Sequence, residues 1–371
     1  MPCCASIFDM AADEKLIRTG IVGFGIAGRI FHAAVVSQTP AMEVASIVQR
    51  SGDDAASAYP SAKIARSLGE MLEDPGISLC VVATPNDAHR SLAEECLKAG
   101  RHVVVDKPLA LSTEDASYLA GLARERGLML SAYHNRRWDG DYQTIRTLLA
   151  GERVGRPLHL VSHFDRFRPL PRLGSWRENG QVGSGLLFDI GPHLLDQALA
   201  LFGTPSNLWA DVRKSRDGAL VDDAFDIMLS YQDSPREELR GLRVWLCATL
   251  TAVRSGARFI LHGTEGSYEK WGLDPQENAL KSGQTFADPG FGVETAAAWG
   301  MLSLANGSSE QVPTLPGDYR GYYANVRDAI LARAPLQVTV RDAWKVACLI
   351  ELARESSTKG MRVPVDFSAA P

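Results

Sequence analysis

Hydrophobic positions along the chain fall into two regimes. In the first third, residues 15–22, 42–48, 79–83, 102–105 and 128–132 form short, nearly continuous apolar runs, as in strands buried on both faces. Between them the apolar spacing turns helical over 29–38, 87–99 and 112–127, and this alternation predicts an α/β unit around a parallel sheet. Further on the period becomes two. Phe225, Ile227, Leu229 and Tyr231 alternate with Asp226, Met228 and Ser230, and Leu242, Val244, Leu246, Ala248 and Leu250 alternate with Arg243, Trp245, Cys247 and Thr249. These are sheet strands with one face in a core. The second face of the later strand carries Trp245 and Cys247 in place of solvated charge, which predicts cover by another subunit and so a homodimer or homotetramer. Residues 319–332 and 342–355 have amphipathic helical spacing, and 272–292 reads as a glycine-containing loop.

A chain of 371 residues exceeds one ordinary core and predicts two domains, 15–133 and 134–371, after a loose extension at 1–14. The formal net charge is −5 with acids and bases interspersed, so neither a nucleic-acid partner nor a membrane surface is expected. No apolar run approaches the roughly 20 residues of a membrane helix, and Asp9, Asp13 and Glu14 stand where a basic leader would. A cytoplasmic protein acting on small molecules is the expectation. The cysteines at 3, 4, 80, 96, 247 and 348 show neither a pairing pattern nor metal-ligand spacing, which predicts reduced thiols and no metal site.

The first strand runs directly into Gly23-Phe24-Gly25-Ile26-Ala27-Gly28 and then a helix. In a strand, glycine turn and helix of this spacing, Gly23 makes the tight turn, Gly25 lets backbone approach a pyrophosphate, and Gly28 lets the helix pack on the strand. A dinucleotide site is predicted, with the phosphates on the free amides of the helix start. At the end of the second strand, about 20 residues on, an NAD site usually places a carboxylate on the ribose. This chain has Gln49-Arg50-Ser51 there, and Arg50 with Ser51 suits a 2′-phosphate, so NADP is predicted. The other reading, NAD held by Asp53 or Asp54, stays open. Thr84-Pro85-Asn86 and Asp106-Lys107-Pro108 fall at the carboxyl ends of the next two strands, where ligands sit in open α/β sheets. Asn86 reads either as a cofactor contact or as a helix cap. His89, one turn on, is assigned to the same wall.

Between Gly183 and Asp196 two charge-bearing groups lie among leucines. As a helix bent at Gly191-Pro192, the stretch sets Asp189 and His193 four apart on one face. A core pair, with His193 held neutral by Asp189 or Asp196, is the structural alternative.

The glycine fingerprint, Asp106-Lys107-Pro108 and the 183–196 run, in this order and spacing, resemble the Gfo/Idh/MocA family of nicotinamide-dependent sugar and polyol oxidoreductases. Residues 133–141 and 162–169 are similar to a branch that includes NADP-dependent scyllo-inositol dehydrogenases. The resemblance implies a Rossmann domain followed by an α+β domain with a large open, mainly antiparallel sheet, assembly through that sheet, and a cis Lys107-Pro108 bond. It also departs in one place, because the common motif has Glu where this chain has Asp106.

Oxidising a secondary alcohol requires hydride to leave carbon while a base takes the hydroxyl proton, and His193 is the side chain best matched to that near neutral pH. Lys107 suits bonding of the developing alkoxide, and Asp189 suits orienting the pair. Asn135, Phe164 and Arg166 complete the expected substrate wall. Asn135, Arg136 and Trp176, together with Asp106 and Lys107, join the expected cofactor set. Of Arg136 and Arg137, one is expected to be structural, and Tyr319 and Tyr322 read as core or as pocket wall. The predicted function is NADP-dependent hydride transfer, with NAD possible, to or from a cyclic polyol or aldose. Two other readings follow: a non-catalytic NAD(P)-binding sensor of the same fold, and zinc hydrolysis at Asp189, His193 and His163.

Overall fold

β1 (Ile17–Val22), β2 (Met42–Val48), β3 (Lys63–Ala65), β4 (Leu79–Val82), β5 (His102–Val105) and β6 (Leu130–Ala132) join in the order β3-β2-β1-β4-β5-β6, every pairing parallel. The computed structural model describes residues 15–172 and 174–371, so the predicted extension at 1–14 lies outside the described residues. Val81, Val82, Val103, Val104 and Val105 are fully buried, the physical reason these strands show no alternation: helices cover both faces. The strand order reverses between β1 and β4, and the carboxyl ends of those two strands open a crevice.

The second sheet comprises β7 (Pro157–His163), β8 (Asn207–Arg213), β9 (Ala224–Ser230), β10 (Arg243–Thr249), β11 (Phe259–Gly263), β12 (Gly266–Lys270), β13 (Gly300–Leu304), β14 (Ser309–Val312) and β15 (Val363–Pro364). Its order is β14-β13-β12-β11-β7-β10-β9-β8-β15, and β7–β10 is parallel while the other pairings are antiparallel. Val244, Leu246 and Ala248 are buried on the face that packs against the helix Gly191–Phe202, with the helix Val340–Lys359 over β8 beside it, whereas Trp245 and Cys247 on the opposite face stay partly exposed in the single chain.

Three local differences from the sequence reading matter for the site. The helix predicted at 29–38 starts earlier and begins as a wide π-turn, Ala27–Ala33, before tightening over Ala34–Ser37. The predicted bent helix is two helices, Leu186–Asp189 and Gly191–Phe202, with Ile190 between them. Pro192 opens the second, where its missing N–H leaves nothing unsatisfied, so proline starts a helix here and does not merely bend one. The loop predicted at 272–292 contains a helix, Gln276–Lys281.

The helix Arg320–Ile330 returns to the first sheet. Tyr322, Tyr323 and Val326 share a buried cluster with Ile17, Ile21, Val81 and Val104, and the Tyr323 hydroxyl lies 2.6 Å from His32 Nδ1. Tyr319 and Tyr322 are therefore core, not pocket wall.

Candidate active site

The nucleotide half is built by backbone. Gly23 has φ +101°, a conformation that a side chain makes costly, and its N–H donates to the Val48 carbonyl at 3.1 Å. A Cβ on Gly28 would lie 1.9 Å from the Gly23 carbonyl oxygen, whereas around Gly25 there is open space. The turn is closed underneath and open above, as a cradle for a pyrophosphate requires. Gly28→Ala is expected to spread this turn and raise the dissociation constant for NAD(P) by about tenfold or more, measured by fluorescence titration; unchanged affinity would rule out the cradle.

A groove extends from this turn past Phe24, Ile26 and Ala27, and past Arg50, Ser51, Arg66, Thr84, Pro85, Asp106 and Trp176. Arg66 holds the segment that carries Arg50 and Ser51 by donating to the carbonyls of Gln49 at 3.1 Å and Gly52 at 2.7 Å. It also takes the Asp53 carboxylate at 2.8 Å. Arg50, Ser51 and Arg66 thus form a wall of donors at the end of β2.

Where the groove reaches Asp106, a second cavity opens, walled by Lys107, Asn135, Arg136, Arg166, Asp189 and His193 among others. Lys107 follows β5 with a cis bond to Pro108, and its Nζ donates to both the carbonyl and the carboxylate of Asp189, the latter at 3.2 Å. Arg177 Nε also donates to that carboxylate at 3.2 Å. Burial pushes the Asp189 carboxyl up, but Lys107, Arg177 and Arg166 together hold it well below its usual range. Asp189 is an anion. Its helix is anchored by Asp222, whose carboxylate accepts the Leu187 N–H at 2.7 Å.

His193 is 7 % exposed, and its Nδ1 is buried without a hydrogen-bond partner among the described residues. Burial first, then the charges of Lys107 and Arg136, push its pKa well below the ordinary imidazole value, so the ring is neutral at neutral pH. The Asp106 carboxylate accepts the N–H of Lys107 at 2.8 Å and stands 3.8 Å from His32 Nε2, so it shapes the backbone that carries the lysine.

Most residues expected at the site reach one of these two spaces, with exceptions. Asn86 donates to the Gly183 carbonyl at 2.9 Å and thus staples the nucleotide half to the later loop. Both ring nitrogens of His89 are engaged by carbonyls, Pro108 at 2.8 Å and Thr84 at 3.0 Å, in a fully buried setting. Neither faces the groove. Phe164 is buried beneath the wall, with Arg136 and Arg166 lying 4.7 and 5.1 Å from its ring. Arg136 lines the inner cavity and not the groove, ion-paired to Asp139 at 3.2 Å and to Glu277. Arg137 is structural, clamped to Asp196 at 2.6 Å. His163 pairs with Asp165 at 3.1 Å, apart from Asp189 and His193. The sequence reading missed Arg66, Glu277 and Lys281, as well as Arg177's bond to Asp189. Only Arg177 had a signal, its place beside Trp176, over whose ring it lies at 4.4 Å.

Residues 17–134 match the oxidoreductase family with an NAD-binding Rossmann fold, and residues 142–269 match the GFO/IDH/MocA C-terminal domain. The chain belongs to the Gfo/Idh/MocA oxidoreductases. It is 41 % identical to the uncharacterised oxidoreductase YdgJ of Escherichia coli (strain K12) over 92 % of this chain and 96 % of that one. It is 33 % identical to scyllo-inositol 2-dehydrogenase (NADP(+)) IolW of Bacillus subtilis (strain 168), over 92 % and 94 %. The solved structure of YPO2259 from Yersinia pestis superposes with a TM-score of 0.88 at 41 % identity, covering 95 % of this chain and 98 % of that one. This oxidoreductase thus has the expected architecture: a parallel Rossmann sheet and a second, mainly antiparallel sheet.

Proposed function

We propose that this oxidoreductase transfers hydride between NADP and a secondary alcohol or ketone of a cyclic polyol or sugar. The observation that carries the reading is the meeting of Lys107, Asp189 and His193 in one cavity at the mouth of the nucleotide groove. The glycine turn fits a dinucleotide, whose nicotinamide supplies or accepts the hydride when bound. The chain's own residues handle the proton and the charge. His193, neutral and buried, takes the hydroxyl proton in oxidation and returns it in reduction. The Lys107 ammonium bonds the same substrate oxygen as negative charge develops there. Asp189 fixes the ammonium through two bonds, so little reorganisation remains for the reaction. Asn135 and Arg166 border the substrate, and Trp176 borders the cofactor.

The choice of NADP rests on Arg50 and Ser51, since the segment after β2 contributes no carboxylate to the groove among the described residues, and on the NADP dependence that the name of IolW carries. An absorbance screen at 340 nm with both cofactors against inositols, glucose, xylose and galactose tests the reading. Arg50→Ala is expected to raise the KM for NADP by about tenfold and to leave that for NAD nearly unchanged. Equal effects on both cofactors would remove Arg50 from 2′-phosphate recognition.

We also propose assembly through the face of the second sheet that carries Trp245 and Cys247, and a cytoplasmic location. Among the described residues no helix is long and apolar enough to cross a membrane. Light scattering that gives a monomer at micromolar concentration overturns the assembly.

A further inference from the structure

We propose that the substrate carries an anionic group, a carboxylate or a phosphate, bound by Arg168 and Arg172 in the cavity that also holds His193 and Lys107. The inference rests on the reading above, in which that cavity receives the reacting sugar or polyol.

Seven cationic side chains and four carboxylates line the cavity among the described residues, although the whole chain has a net charge of −5. Three of its carboxylates are paired with cations, and the fourth, Asp106, accepts the Lys107 N–H at 2.8 Å. Asp189 is held by Lys107 and Arg177, and Glu277 by Arg136 and Lys281 with Arg166 at 3.7 Å. Glu178 is paired with Arg216 at 2.7 Å. Arg168 and Arg172 have no side-chain hydrogen bond or ion pair among the described residues. Burial and the like charges of Arg166 and Arg172 push the Arg168 guanidinium below its ordinary value, so an arriving anion relieves a repulsion already present.

The backbone under these arginines is fixed. Buried Arg216 donates to the carbonyls of Arg168 at 2.9 Å and Leu170 at 3.2 Å while pairing with Glu178 and Asp223. Glu178 in turn accepts the Arg172 N–H at 3.2 Å, and the Arg168 N–H donates to Leu250 at 2.7 Å. A buried ion network thus supports two cations whose guanidinium groups make no ion pair with it. Guanidinium groups presented this way match carboxylate or phosphate oxygens through paired charge-assisted bonds. Neither arginine lines the nucleotide groove, so the cofactor's own phosphates are the lesser candidates.

Steady-state kinetics on the full chain with NADP, comparing glucose with glucuronate and glucose 6-phosphate, and myo-inositol with its monophosphate, test this. A charged member is expected to exceed its neutral counterpart in kcat/KM by about tenfold or more. The carboxylate and phosphate arms identify which group is bound. Arg168→Gln and Arg172→Gln each lower that ratio, the double variant brings it toward one, and Arg168→Lys retains part of it. Preference for the neutral members, a ratio unmoved in the double variant, or a larger loss in NADP affinity than in substrate affinity overturns the proposal. If no sugar is turned over, the proposed reaction fails separately. Calorimetric titration of the NADP-loaded protein with glucuronate and glucose 6-phosphate then decides: binding lost in the double variant supports the anion site, and no binding by the wild type overturns it.

Discussion

Lys107→Ala is expected to lower kcat for alcohol oxidation by about 10²-fold or more, with kcat/KM falling in parallel. The ammonium is bonded to Asp189 and lines the same cavity as His193, and in the proposed reaction its contribution grows as charge builds on the substrate oxygen. The fold is expected to survive the change. Asp189 keeps Arg177 at 3.2 Å and Arg166 at 4.0 Å, so its carboxylate is not left as an unpaired buried charge. Absorbance kinetics measure the loss, and circular dichroism melting checks the fold. Turnover within twofold of wild type would remove Lys107 from the mechanism.

His193→Asn should cost about 10²–10⁴-fold in kcat/KM, the range for a positioned proton-transfer group. Its Nδ1 has no hydrogen-bond partner among the described residues, so replacing the ring breaks no bond at that atom. The pH profile supplies the second readout. Because the folded-state pKa of His193 lies well below 6.5, the proposed base stays unprotonated as pH falls through the ordinary imidazole range. The acid limb of kcat/KM for oxidation is therefore expected clearly below pH 6.5, and a limb at or above it would contradict the assignment. Stability follows the same sign. His89, His134 and His193 are all depressed by burial, so below about pH 6.5 the unfolded chain binds protons that the folded chain does not. Their contribution is complete above that pH and declines as pH falls toward the folded values.

Those parts of the candidate site that could be read along the chain are the ones whose demands are local. Gly23, Gly25 and Gly28 answer to one turn, and Lys107 is placed by a buried strand that ends two residues before it. Residues whose roles depend on distant partners were read less well. Asn86 and His89 stand beside the nucleotide wall in sequence, yet Asn86 is drawn to the Gly183 carbonyl, 97 residues away, and His89 to Pro108 and Thr84. Glu277 had no periodic signal, because the six-residue helix Gln276–Lys281 is too short to display one. Its importance comes from Arg136, 141 positions earlier. Pro192 carried a local rule, but that it begins a second helix and does not bend one was visible only in the backbone at Ile190, which leaves the first helix and caps the second.

Residue order alone determined the periods of the strands and helices, the glycine turn and the types of group available for hydride and proton traffic, since each depends on neighbours within a few positions. Tertiary structure decided which charges neutralise one another and which remain free. Asp189 is engaged by a lysine from the nucleotide half and an arginine from a loop, while among the described residues Arg168 and Arg172 have no side-chain partner and lie over a buried ion network. Electrostatic energy depends on separation in space and on exclusion of water, and neither is encoded in separation along the chain.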